Sequence, residues 1–183
     1  MWRCLPLVLA LWGVSCGKGK PDPSTAQREP LALRNGLFYE HGSDQPFSGA
    51  VKRTYNDGKP STIIYYRNGH QHLLRMWTPD GRLEIEQRFH QGHLALVATW
   101  DRDGEFQIWR KSDELAVEQI QRAQKFLGET NVVSGFVWLQ LAAYNGEPQA
   151  RQFLSAPMPS AVTEAQILEI NRQTDALFNL GQP

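Results

Sequence analysis

The sequence predicts an α+β protein in which a repetitive antiparallel β-meander precedes a small C-terminal helical bundle or cap. Three observations carry that expectation. Glycines recur at Gly58, Gly69, Gly81, Gly92 and Gly104, at intervals of 11, 12, 11 and 12 residues. The segments between them alternate apolar and polar side chains, which is the period of a strand. Beyond Arg110 the pattern changes to capped, helix-length segments.

The turns come first, because a fixed period of this length is a repeat signature. Gly58, Gly69, Gly81 and Gly104 close the strings YNDG, YRNG, WTPDG and WDRDG, each with an aromatic just before the polar residues; Gly92 closes FHQG. Asn-Gly and Asp-Gly steps suit tight hairpins, since glycine accepts positive φ and Asn or Asp bonds locally to the backbone. Turn glycines so close together leave little room for typical helices. Between them, Leu83, Ile85 and Phe89 fall on one side, with Gln87 as the polar exception, and Glu84, Glu86 and Arg88 on the other. The same rule groups Leu94, Leu96, Ala98 and Trp100. Successive strands joined by short turns pair antiparallel.

The helical part follows from capping signals. Ser112 is an N-cap for a helix over about 113–127, with Asp113 and Glu114 in its first turn and Gly128 at its stop. A second helix, over about 132–144, is apolar through FVWLQLAAY and ends at Asn145 and Gly146. Pro148 opens a third, to about residue 154. Thr163 followed by Gln166 is a capping box ahead of a last helix to about residue 178. Packed together, these helices would cap the end or the apolar face of the sheet, which a single layer otherwise leaves wet.

The N-terminus reads as a targeting segment. One basic residue, Arg3, precedes the apolar run from Leu5 to Val14, which is too short to span a bilayer comfortably and matches a signal-peptide core. Small residues flank Cys16, and this arrangement resembles a bacterial lipoprotein box, in which the cysteine becomes the acylated N-terminus after cleavage. The expected organisation is a signal peptide over 1–15, a lipidated N-terminus and flexible tether over 16–35, a repeat sheet over 36–110 and a helical domain over 111–183. Loss of Cys4 with the signal and acylation of Cys16 would leave neither a disulfide nor a free thiol. The resemblance implies a lipid-anchored protein of the bacterial cell envelope. In a Gram-negative cell, Gly17 after the cysteine is compatible with sorting to the outer membrane, facing the periplasm.

Two further stretches resemble known repeats. The run GLFYEHGSDQPFSGAVKRTYNDGKP, with YYRNGH, MWTPDGRLEIEQRFHQGHL and ATWDRDGEF after it, resembles the MORN-type repeat variant of bacterial antitoxins and immunity-like proteins. GFVWLQLAAYNGEPQARQFL resembles a Sel1-type helical repeat, with Trp138, Leu139, Ala142, Ala143, Gly146 and Ala150 in the repeat's positions. The first resemblance implies a non-catalytic protein that blocks a toxin or effector. An envelope scaffold or assembly lipoprotein is the alternative, since a repeat scaffold does not fix function.

The chemistry-bearing residues are few. The 19 basic residues balance the 19 acidic ones, which argues against nucleic acid as the main partner. There is no G-x-S-x-G elbow, Walker A loop or H-E-x-x-H, so no cofactor is expected and a hydrolase would need a titratable cluster in a cleft. His70, His72, His90 and His93 flank alternate turns; they come within reach of a shared metal if those turns line one edge, and are solvated turn residues otherwise. Glu84 and Glu86 read as a solvated pair beside Arg82 and Arg88. Tyr55, Tyr66, Trp77, Phe89 and Trp100 punctuate the strands, either as packing for a sheet with little other core or as anchors for a protein partner.

Overall fold

The computed structural model describes residues 31–110 and 112–179. The expected signal peptide, Cys16 and most of the tether lie outside the described residues. The architecture is α+β: an antiparallel meander followed by a bundle of helices. A two-stranded hairpin, β1 (Leu31–Arg34) and β2 (Leu37–Glu40), precedes a six-stranded sheet in simple sequence order. Its strands are β3 (Gly49–Thr54), β4 (Pro60–Arg67), β5 (His70–Trp77), β6 (Leu83–His90), β7 (His93–Trp100) and β8 (Phe106–Arg110). Leu31–Arg34, expected within a flexible tether, is instead a strand paired with Leu37–Glu40.

The alternating 11- and 12-residue spacing has a structural cause, two kinds of turn on opposite edges. Asn68–Gly69 and Gln91–Gly92 take positive φ at both residues, the two-residue hairpin geometry whose twist matches the strands. Gly58, Gly81 and Gly104 belong to longer turns. In the first of these, Gly58 N–H donates to the Tyr55 carbonyl and Tyr55 N–H to that of Lys59, which adds one residue to the loop. Gly69 is fixed by space as well as by φ: a Cβ there would stand 3.0 Å from both Leu37 and Pro46. The β1–β2 hairpin docks on this turn, with Phe38 N–H donating to the Gly69 carbonyl and Gly69 N–H to that of Phe47.

Every hairpin of the large sheet also carries a bulge, one extra residue three positions after its glycine. The extra residues are Ser61, His72, Glu84, Ala95 and Gln107. A bulge reverses the alternation, so the strict period expected from the sequence holds only beyond it. Leu83 pairs with Trp77 and Ile85 with the adjacent Met76, which puts Leu83 and Ile85 on opposite faces rather than together. Leu94 is separated from Leu96 in the same way.

The helices follow the capping signals closely: α1 (Asp113–Gly128), α2 (Val132–Asn145), α3 (Pro148–Ser155) and α4 (Glu164–Phe178). Ser112 Oγ accepts from Leu115 N–H, and Thr163 and Gln166 form the reciprocal capping box. α2 is the central helix, and Phe136, Val137, Trp138, Leu139, Leu141 and Ala142 are all buried. Burying each large apolar side chain contributes roughly 1.5–3 kcal/mol relative to leaving it exposed. α1 approaches α2 closely at Gly135, where a Cβ would lie 2.6 Å from Leu127. The core joins the helices to Ala95, Leu96 and Ala98 of β7, so the bundle covers one face of the sheet at β6 and β7.

Candidate functional site

The covered face is unusually polar. Along one cross-strand row Ile63, Arg75, Glu86 and Ala98 are successive partners; along the next, Tyr65, Leu73, Arg88 and Leu96. Glu86 is 1% exposed and Arg88 4%. The solvated face expected from the sequence is thus corrected: Glu84 is an exposed bulge residue, while Glu86 lies in the interior. Its carboxylate accepts from Arg75 Nε at 2.8 Å and from Arg88 Nε at 2.6 Å. Arg88 Nη1 donates onward to the carbonyls of Ala176 and Leu177 at the end of α4. Charge-assisted bonds on both sides of the carboxylate offset its desolvation, and the arginine satisfies carbonyls the helix leaves open.

A second buried polar chain lies beside it. Gln119 Nε2 donates to the carbonyl of Ala95, the bulge residue of β7, at 2.8 Å. Asn145 Nδ2 donates to Gln119 Oε1 at 2.9 Å and to the Leu141 carbonyl. The bulge, α1 and the end of α2 are tied together by this chain.

The opposite face has a different character. Val51, Ile64, Leu74, Gln87 and Val97 form one row of cross-strand partners. Thr62, Met76, Ile85 and Thr99 form the next. These side chains are half-buried by their neighbours, or exposed at Met76, and the bundle packs on the other side. Apart from the β1–β2 hairpin over Tyr66, no element among the described residues covers this sheet face, which makes it a candidate binding surface.

The five aromatics expected as anchors divide. Tyr66 is corrected from accessible anchor to core residue. At 8% exposure it packs between Phe38, at 5.0 Å, and Phe47, at 5.6 Å, because the β1–β2 hairpin folds over it. Trp100 is half-buried against the helical core and meets Phe106 edge to face. Tyr55 and Trp77 lie together at the edge of the longer turns, where the Tyr55 hydroxyl donates to the Trp77 carbonyl at 2.6 Å. Phe89 lines a cleft between the sheet and α4. Trp138, Leu139, Ala142 and Ala150 are buried in the bundle, Ala143 is half-buried, and Gly146 makes the left-handed turn between α2 and α3.

Alternate turns do line one edge. A Cβ on Gly92 would lie 3.0 Å from His70 Nδ1, so the two histidine-bearing turns are neighbours. Trp138 stands between sheet and bundle with its ring centroid 5.4 Å from that of His90 and 6.4 Å from that of His93. Burial, with His93 as a smaller cause, lowers the His90 pKa to about 4. Among the described residues no group of three or more His, Cys, Asp or Glu could hold a metal ion. Comparison with protein families, curated proteins and solved structures finds no match.

The cleft is the feature that sequence reasoning missed. It has a volume of about 380 Å³ and is lined by Arg67, His72, Arg88, His90, Arg172 and Gln173, with apolar side chains between them. Its α4 residues are some 80 positions from the nearest strand residues in the chain, and no local motif links them.

Proposed function

We propose that this chain is a non-catalytic, membrane-tethered protein that binds a protein partner through the open face of its repeat sheet. The single observation that carries this reading is the row Val51, Ile64, Leu74, Gln87 and Val97, apolar but for Gln87, with Met76 and Ile85 beside it, on the face away from the helical bundle. Half-buried apolar side chains on a sheet face away from the bundle support an interaction face better than a solvated row does. The lipoprotein-like N-terminus would hold that face near a membrane through Cys16 acylation, each buried methylene contributing roughly 0.8 kcal/mol. The resemblance of the repeats to those of antitoxin-type proteins would make that partner a toxin or effector.

The experiment is a crosslinking pull-down of the full, processed protein from its own cells, compared with Leu74→Lys and Ile85→Lys. One stoichiometric protein captured by the parent and lost from both variants, each with its melting temperature preserved, is the expected result. Equal capture by the variants would remove the open face from consideration. Loss of radiolabelled acyl incorporation in Cys16→Ser tests the anchor separately. If the purified complex silences an activity of the captured protein, the partner is a toxin or effector; a complex that silences none would be an envelope assembly.

A further inference from the structure

The cleft on the other side of the sheet carries an inference that does not depend on the docking face. Six polar side chains line it, and none is a carboxylate. Arg67 is exposed and has no ion-pair partner among the described residues. Arg172 binds Glu169 through Nε and Nη2 only, at 2.7 and 2.6 Å, which leaves Nη1 outside that pair. The carbonyl end of α4 would repel an anion, but Arg88 already engages its Ala176 and Leu177 carbonyls. Arg88 shares Glu86 with Arg75, and Arg172 is matched by Glu169, so the excess positive charge comes from Arg67 and from the second guanidinium on Glu86.

Two of the lining residues have buried ring nitrogens, His72 Nδ1 and His90 Nε2, without hydrogen-bond partners. Native interiors leave few polar atoms in that condition, and a pair lining one cleft points to something that bonds there. Burial lowers the pKa of both imidazoles, with Arg67 adding to the effect at His72, so both are neutral at pH 7. The Tyr65 main chain pulls His72 the other way, though it makes no hydrogen bond to Nδ1. A neutral imidazole offers one N–H and one acceptor nitrogen, and hydrogen placement chooses between them. With the N–H on His72 Nδ1 and on His90 Nε2, two of the lining residues each carry a neutral donor. A cation finds repulsion and no carboxylate there, and a purely apolar ligand would leave both nitrogens unpaired.

We propose that this cleft binds a small oxyanion, a phosphate or a carboxylate, with Arg67 supplying charge, Arg172 a guanidinium donor at Nη1, and His72 and His90 neutral hydrogen bonds. Planar guanidinium groups and neutral donors converging on one volume are the usual means of holding such a group.

The test follows the histidine imidazole resonances of the full, ¹⁵N-labelled protein, purified in nonionic detergent at about pH 7 and assigned with His72→Asn and His90→Asn. Inorganic phosphate and acetate are titrated separately, with sodium chloride at matched ionic strength as control. The expected result is a saturable shift of the His72 and His90 resonances with one of the two anions, while exposed His41 stays still. Saturation by phosphate assigns a phosphate site and saturation by acetate a carboxylate site. Arg67→Ala and Arg172→Ala should each weaken binding about tenfold, as loss of one charged hydrogen bond predicts. The proposal is overturned if neither anion gives a saturable shift, if sodium chloride reproduces it, or if the double arginine variant binds as tightly as the parent. Both arginines lie at the surface, so their melting temperatures should match that of the parent.

Discussion

The two faces of β6 invert the usual arrangement, although the covered face of the sheet also holds the core residues Leu73, Leu96 and Ala98. The face under the helices contains Arg75, Glu86 and Arg88, whereas the face without a cover contains Val51, Ile64, Leu74, Ile85 and Val97. Alternation of polar and apolar residues normally identifies the core face. Here that rule would bury the wrong side of β6. The covered face tolerates charge because its three groups are joined, with one carboxylate between two guanidiniums and Arg88 Nη1 on helix carbonyls. The open face keeps its apolar residues without evident need of them for the monomer's core. That contrast is the ground for proposing the open face as a partner's surface.

The largest expected effect lies on the covered face. Glu86→Ala leaves two guanidinium groups facing each other, one of them buried, and should cost about 3–5 kcal/mol in chemical denaturation. The double variant Glu86→Leu with Arg88→Met removes both charges of the shorter pair and should be less destabilised than Glu86→Ala alone. If the single variant unfolds at the parent's denaturant midpoint, the ion set is not a joined interior unit and the contrast between the faces fails.

A smaller effect is expected one strand over, where the covered face meets the bundle through hydrogen bonds rather than charge. Gln119→Ala removes the donor to the Ala95 carbonyl and the acceptor for Asn145. A destabilisation of about 1–3 kcal/mol is expected, the cost of leaving buried polar groups unmatched. Hydrogen exchange should show faster opening of β7 in that variant, because the bulge loses its tie to α1. Unchanged protection there, with the loss confined to the helices, would mean that the bulge does not depend on this bond.

How much of this was legible follows from where the information lies along the chain. Helix ends were readable because Ser112, Pro148 and the Thr163–Gln166 pair act within one turn of themselves. Turn positions were readable because positive φ selects glycine locally. The bulges were not, since serine, histidine, glutamate, alanine and glutamine occupy the five equivalent positions and share no chemistry. Their effect is on parity, so a faithful count of alternation placed Leu83 and Leu94 on the wrong faces. Tyr66 was visible as an aromatic at a strand end, but its burial depends on Phe38 and Phe47 from a separate hairpin. For the same reason the arginine- and histidine-lined cleft had no signature, as α4 supplies Arg172 and Gln173 from the far end of the chain.

The smallest expected effect completes the comparison. Ile85 sits beside Glu86 in the same strand, but points to the open face, between Met76 and Thr99. Ile85→Lys should lower stability by no more than about 1 kcal/mol, the span of strand preference at a site without a packed layer above it. Adjacent residues would then differ several-fold in their cost, with the apolar one the cheaper to replace. A loss as large as that of Glu86→Ala would show that Ile85 belongs to a packed interior, and the open face could not be held free for a partner. A small loss, together with a lost partner in the pull-down, would separate the residue's role in binding from any role in folding.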